Sequence, residues 1–199
     1  MIKPRFIAID FDGTCTSHEY PEMGKDIGAI PVLKRLVDAG HTLILNTMRG
    51  GETFSEAILW FEINGITLNH FRRHPTQGNW TSRPKCYADL YIDDAALGCP
   101  LIHDEEVSLR PFVDWKEVEK RLEATDYLEP VPTLQWWGYL HIDGGLHAKR
   151  YFDERDTNEA RESPFVDIAV GPFDATDRDD ALKQIAAEVG IEYNPDIHK

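Results

Sequence analysis

Short apolar runs alternate with amphipathic stretches along the first two thirds of the chain. Arg5-Phe6-Ile7-Ala8-Ile9 is apolar and β-rich throughout, the pattern of a strand buried on both faces. Helical spacing follows at Ile30, Leu33, Leu36 and Val37, with Pro31 tolerated in a first turn and Gly40 as a stop. Thr42-Leu43-Ile44-Leu45-Asn46 predicts a second buried strand. Phe54, Ala57, Ile58 and Phe61 predict a second helix, which Gly65 ends. Ile66-Thr67-Leu68 suggests a short strand, followed by a polar loop with Pro75, Gly78 and Pro84. Leu90-Tyr91-Ile92 predicts one more buried strand, and Trp115, Val118 and Leu122 share one face of a helix that Asp114 can cap. Strands alternating with helices predict an α/β fold, a Rossmann-like parallel sheet with helices on both faces.

The pattern changes after Glu129-Pro130-Val131-Pro132, which reads as a linker. Trp136 to Ile142, a turn at Asp143-Gly144-Gly145, and Leu146 to Phe152 predict a β-hairpin. Phe165 to Val170 predicts a third strand and Ala181 to Val189 an amphipathic helix. The expected organisation is a core over residues 1–128 and a small α+β appendage over 129–199. No internal repeat or low-complexity tract interrupts either part.

The polar residues at the predicted strand ends carry the chemistry. Asp10, Asp12, Asn46, Thr47, Asp93 and Asp94 all fall there, where ligands of such sheets gather. Two carboxylates one residue apart project together from an extended backbone. In a loop they diverge, offering one carboxylate and one carbonyl oxygen to a shared cation. An adjacent pair of acids at a second strand end completes an all-oxygen set suited to Mg²⁺. A single strand-end Asp is ordinarily a cap or a solvated turn residue, but so many in one cleft are costly without a cation.

Charge narrows the partners. Acids outnumber Lys and Arg 35 to 21, a net charge of -14 at pH 7, which argues against nucleic acid held over a broad surface. A local cluster can oppose the global sign. The segment from Arg49 to Lys85 does so, with Arg49, Arg72, Arg73, Arg83 and Lys85 against Glu52, Glu56 and Glu62. The expected partner is a small phosphorylated substrate, with self-association through the appendage as a further possibility. Three cysteines without a CxxC fit a reducing compartment, and no apolar run suits a membrane span; a cytoplasmic protein is expected.

Other side chains have competing readings. Arg49, two residues past Thr47, either meets a second anionic group or pairs with an acid at the surface. Arg72, Arg73 and His74 read as a solvated face. For Trp80 and Tyr20, apolar packing outweighs stacking on a base or sugar, and Cys15 reads as a small packing residue. His141 and His147 flank the predicted turn; a two-residue loop would set them on opposite sides of the hairpin, against a joint ligand role. Trp136 and Trp137 read as appendage core or interface.

Over residues 5–110 the chain resembles the haloacid dehalogenase superfamily of phosphotransferases. Asp10-Phe11-Asp12-Gly13-Thr14 after an apolar strand is similar to that family's first motif. Leu43-Ile44-Leu45-Asn46-Thr47 is similar to the second, Lys85 to the third and Tyr91-Ile92-Asp93-Asp94 to the fourth. The resemblance implies Asp10 as nucleophile forming an aspartyl-phosphate and Asp12 as general acid and base. It implies Thr47 and Lys85 as stabilisers of the phosphoryl group; Asn46 and Arg49, at the same strand end, are the candidates for contact with substrate. Mg²⁺ would be held by Asp10, the Asp12 carbonyl and Asp94, with Asp93 beside Lys85. An acid at position 12 favours hydrolysis of a phosphomonoester, such as a nucleotide or sugar phosphate. The intervals from Asp12 to Thr47 and from Thr47 to Lys85 leave no room for a separate cap domain, so an open site is expected. The alternatives are a phosphatase of polynucleotide ends and a catalytically silent binding or assembly module.

Overall fold

The computed structural model describes residues 2–150, 158–159 and 161–195. They fall into two compact units, Met1–Glu129 and Pro130–Lys199.

In the first unit, β1 (Phe6–Ile9), β2 (Thr42–Leu45), β3 (His70–Phe71) and β4 (Leu90–Ile92) form a parallel sheet in the order β3-β2-β1-β4. Helix α1 (Ala29–Asp38) links β1 to β2, and α2 (Gly51–Ile63) links β2 to β3. An antiparallel ribbon, β5 (Leu101–Ile102) with β6 (Phe112–Val113), leads into α3 (Trp115–Ala124). The Asp114 carboxylate caps α3, accepting from the Lys116 and Glu117 amides at 3.1 and 3.2 Å.

Residue alternation along the strands separates the two faces. Ile7, Ile9, Leu43 and Leu45 are buried in one cluster with Leu33 and Leu36 of α1, Ala57 and Phe61 of α2, and Val118 and Leu122 of α3. Ala8 and Ile44, on the other face, pack instead with Phe6, Cys86 and Ala88. All three helices of this unit therefore cover one face, and the expectation of helices on both faces does not hold among the described residues. The cause is topological. The order steps one way from β1 to β3, then crosses to the far side of β1, and a right-handed crossover must return over the opposite face. That return carries Pro75, Gly78 and Pro84, which disfavour a helix, and it contains only a 3₁₀ turn over Gln77–Asn79. The short strand also sits later than Ile66–Leu68. Ile66 is buried in the helix-side core, and His70 and Phe71 make the ladder to Ile44 and Leu45.

The second unit is an antiparallel sheet in the order β8-β7-β9, made of β7 (Leu134–His141), β8 (Leu146–Lys149) and β9 (Val166–Ala175). Helix α4 (Arg178–Val189) buries Ala181, Leu182, Ile185 and Ala186 against Leu146, Ala148 and Ala175. Gly138 makes the close approach possible: a Cβ there would lie 2.4 Å from Ile185. The expected continuation of β8 to Phe152 lies partly outside the described residues. The hairpin departs from expectation in one respect. Tyr139 pairs with His147 and the His141 amide donates to the Gly145 carbonyl, so the loop holds three residues. This puts His141 and His147 on the same face, their rings 6.4 Å apart. Trp136 packs with the core under α4.

Candidate active site

Strand β1 delivers Asp10 to the carboxyl end of the sheet, where its amide donates to the Ile92 carbonyl at 3.0 Å. The chain then turns tightly. The amides of Thr14, Cys15 and Thr16 all point at the Phe11 carbonyl, and Gly13 donates to the Thr16 carbonyl at 2.7 Å. Gly13 has φ +77°, and a Cβ there would lie 2.1 Å from the His18 ring. Only glycine satisfies both demands.

Strand β4 brings Asp93 and Asp94 to the same end. Carboxylate oxygens of Asp10, Asp93 and Asp94 all lie within 4.8 Å of one another, and each residue is half-buried. Burial first, then the charges of Asp93, Asp94 and Asp12, push the Asp10 carboxyl up to about 7, although the Phe11 amide pulls the other way. A divalent cation would remove this penalty, since hard carboxylate oxygens are its preferred ligands. The trio fits a Mg²⁺-type ion.

Asp94 is held from two sides. Its amide donates to Thr14 Oγ1 at 3.0 Å, and its Oδ2 lies 3.2 Å from His18 Nε2. That nitrogen is buried and has no hydrogen-bond partner among the described residues. Trp115 Nε1 donates to the Thr14 carbonyl at 2.6 Å and fixes the turn from below. Asp93 Oδ1 accepts from the Ala95 amide at 2.9 Å.

The Asp12 carboxylate is not one of this trio. Arg49 grips it through Nε–Oδ2 at 2.9 Å and Nη2–Oδ1 at 2.7 Å. Arg49 is 1% exposed, and its remaining donors reach the Pro21 and Glu22 carbonyls at 3.2 and 2.6 Å. The guanidinium also lies 5.0 Å from the Phe11 ring and 5.4 Å from that of Tyr20. Of the two readings of Arg49, pairing with an acid is the one realised, but in the interior rather than at the surface. Its donors are engaged within the protein, so direct contact with a second anionic group of a substrate is not supported. Thr47 is buried, and its Oγ1 accepts from the Arg49 amide at 3.2 Å. Asn46 lies beside β1, its amide donating to the Ile9 carbonyl at 2.8 Å.

Lys85 sits on the crossover loop, exposed. Among the described residues no ion pair joins its ammonium to Asp10 or Asp93. The loop itself is fixed by a residue that hydrophobic patterning gave no reason to single out. Gln77, fully buried, donates to the Arg83 and Lys85 carbonyls at 3.1 and 2.7 Å and accepts from the Tyr87 amide at 2.9 Å. Cys15 is buried with its thiol donating to the Asp10 carbonyl at 3.2 Å. Burial, then Asp10 and Asp12, push that thiol well above its usual range, so it is no nucleophile.

A solved protein of Bacteroides thetaiotaomicron, described as a conserved protein, matches this chain with a TM-score of 0.51 and 32% sequence identity. The match covers 62% of this chain and 93% of the other. This chain belongs to that protein's family. No family model matches the sequence, and no curated protein does. Among the described residues, no helix is long and apolar enough to cross a membrane.

Proposed function

We propose that the first unit is a Mg²⁺-dependent phosphomonoesterase of the haloacid dehalogenase type, working through an aspartyl-phosphate on Asp10. One observation carries the reading: three carboxylates converge at the sheet's carboxyl end, and the Asp10 carboxyl is raised to about 7. A bound Mg²⁺, held by Asp10, Asp93 or Asp94 and the Asp12 carbonyl, would supply charge neutralisation between phosphate and carboxylates.

The chain's own groups then have distinct tasks. An Asp10 carboxylate oxygen attacks phosphorus as the bond from phosphorus to the ester oxygen breaks. Asp12 gives a proton to the departing oxygen, then takes one from the water that attacks the aspartyl-phosphate, and inorganic phosphate leaves with Asp10 restored. Arg49 orients Asp12 for both transfers. The Thr47 hydroxyl hydrogen-bonds a phosphoryl oxygen, and Lys85 closes on the phosphoryl group from the crossover loop. His18 and Thr14 position Asp94.

The test is turnover of p-nitrophenyl phosphate by the full chain with and without Mg²⁺. Mg²⁺-dependent release that disappears in Asp10→Asn supports the reading. Release that survives this substitution, or no release from any phosphomonoester, refutes it.

A further inference from the structure

The crossover loop over the helix-free face of the sheet carries a charge pattern opposite to the rest of the chain. Between Glu62 and Asp89 the sequence has no acid at all, yet it holds Arg72, Arg73, Arg83 and Lys85. All four are exposed, and among the described residues none is in an ion pair. Arg72 turns to the helix side, donating to the Arg49 carbonyl and lying 4.3 Å from the Phe54 ring, which leaves Arg73, Arg83 and Lys85 on the loop. In a chain of net charge -14, such a run stands out as an isolated cationic strip.

The same loop presents aromatic rings. Trp80 is 61% and Tyr87 48% exposed, which reverses the expectation that Trp80 packs inside. The two rings meet edge to face at 5.7 Å, Tyr87 continues to His74 at 5.4 Å, and His74 lies 4.0 Å from Phe6 of β1. The rings are therefore anchored to the sheet. The loop is also held by Gln77 and by Arg73, whose Nη2 donates to the Thr81 carbonyl at 2.5 Å. Exposed, rigidly backed aromatic faces interleaved with arginines are what a single-stranded nucleic acid needs: stacking surfaces for bases and cations for the backbone. A free sugar phosphate would use the cations and leave the rings idle.

We propose that this loop is a binding strip for single-stranded nucleic acid, and that the substrate is the phosphorylated end of such a strand. The proposal rests on the phosphomonoesterase reading for its chemistry, with the terminal phosphate meeting Lys85 and the next few nucleotides lying over Arg83, Arg73, Trp80 and Tyr87. The footprint is short, so it avoids the repulsion that a long duplex would meet on the acidic remainder.

The test separates binding from chemistry. Binding is measured on the full chain in EDTA with 5′- or 3′-phosphorylated tetrathymidylate, thymidine monophosphate and an acidic phosphoserine peptide. At least one tetranucleotide is expected to bind ten or more times tighter than the mononucleotide and the peptide, and to quench tryptophan fluorescence. Two backbone contacts on a single strand predict about a sevenfold loss of affinity between 50 and 200 mM salt. Trp80→Ala, and Arg73→Ala with Arg83→Ala, are expected to remove most of that preference. With Mg²⁺ present, they should raise KM for the oligonucleotide at least ten times more than KM for p-nitrophenyl phosphate. Equal binding of mononucleotide and tetranucleotide, tighter binding of the peptide, or variants that change nothing would each overturn the proposal while leaving the phosphatase reading intact. If no phosphomonoester is hydrolysed but the tetranucleotide still binds selectively through Trp80, the chemistry fails and the strip stands.

Discussion

Replacing Arg49 with alanine removes a 1% exposed guanidinium and leaves the Asp12 carboxylate and the Pro21 and Glu22 carbonyls without their donors. Deleting one partner of a buried ion pair typically costs about 3–5 kcal/mol, because the other charge stays behind. The Asp12 side chain is 20% exposed, so water can partly replace the guanidinium, and the low end, about 3 kcal/mol, is expected. For a chain of this size that lowers Tm by roughly 6–12 °C. The decisive measurement is a double-mutant cycle with Asp12→Asn, read by urea unfolding with hydrogen exchange on peptides from β1 and β2. Removing both partners should cost less than the sum of the single changes by about 2 kcal/mol. Additivity within about 0.5 kcal/mol would refute the pairing. Arg49→Lys should recover only part of the loss, since a point charge cannot make the two-pronged contact. On the phosphatase reading, a displaced Asp12 also lowers kcat by about 10²-fold.

Three further outcomes follow from the geometry. In the metal-free protein, Asp10 binds its proton more tightly folded than unfolded, so stability should fall as pH rises from about 4 to about 7. The total is on the order of 4 kcal/mol, and a flat pH profile of Tm in EDTA would contradict the raised carboxyl; Mg²⁺ should accordingly raise Tm more at pH 8 than at pH 5.5. Gln77→Ala frees two carbonyls and an amide of the crossover loop, at about 1–3 kcal/mol for each group left buried and unpaired. Trypsin should then cut after Lys85 at least ten times faster, and an unchanged rate would show that the loop is held by something else. Gly138→Ala sets a methyl 2.4 Å from the Ile185 side chain, and overpacking of this kind costs about 1–3 kcal/mol. Faster exchange in peptides from β7 and α4 would show it.

The strands and helices of the first unit were legible because burial on one or both faces writes itself into apolar periodicity. β1, β2 and β4 lie under their apolar runs, and α1 to α3 under their spaced ones. The strand ends followed, and with them the meeting of Asp10, Asp93 and Asp94. What periodicity cannot show is where side chains go once the backbone leaves a regular element. Asp12 and Asp10 are one residue apart, yet Asp12 is paired with Arg49 while Asp10 joins the carboxylate trio. His18 and Gln77 gave no signal, because a buried polar residue in a loop is defined by partners distant in sequence. The β5–β6 ribbon has no signature in the sequence, since paired strands of two residues leave no periodic trace. The face of the crossover was decided by strand order, which a local pattern does not contain.

That crossover links fold to chemistry. A helix there would satisfy its own backbone and present side chains at fixed spacing over Ala8 and Ile44. The loop cannot satisfy itself, so one buried amide side chain, Gln77, meets three of its backbone groups, as interior polar groups require. What it gains is freedom of direction: Cys86 and Ala88 turn inward to the sheet, while Arg83, Lys85 and Tyr87 turn outward. The alternation sets a cationic, aromatic surface on the crossover before β4, whose far end carries Asp93 and Asp94 beside Asp10, which follows β1. On the single-strand proposal, the loop would meet the backbone of the strand while the carboxylate end of the sheet meets its terminal phosphate through a cation.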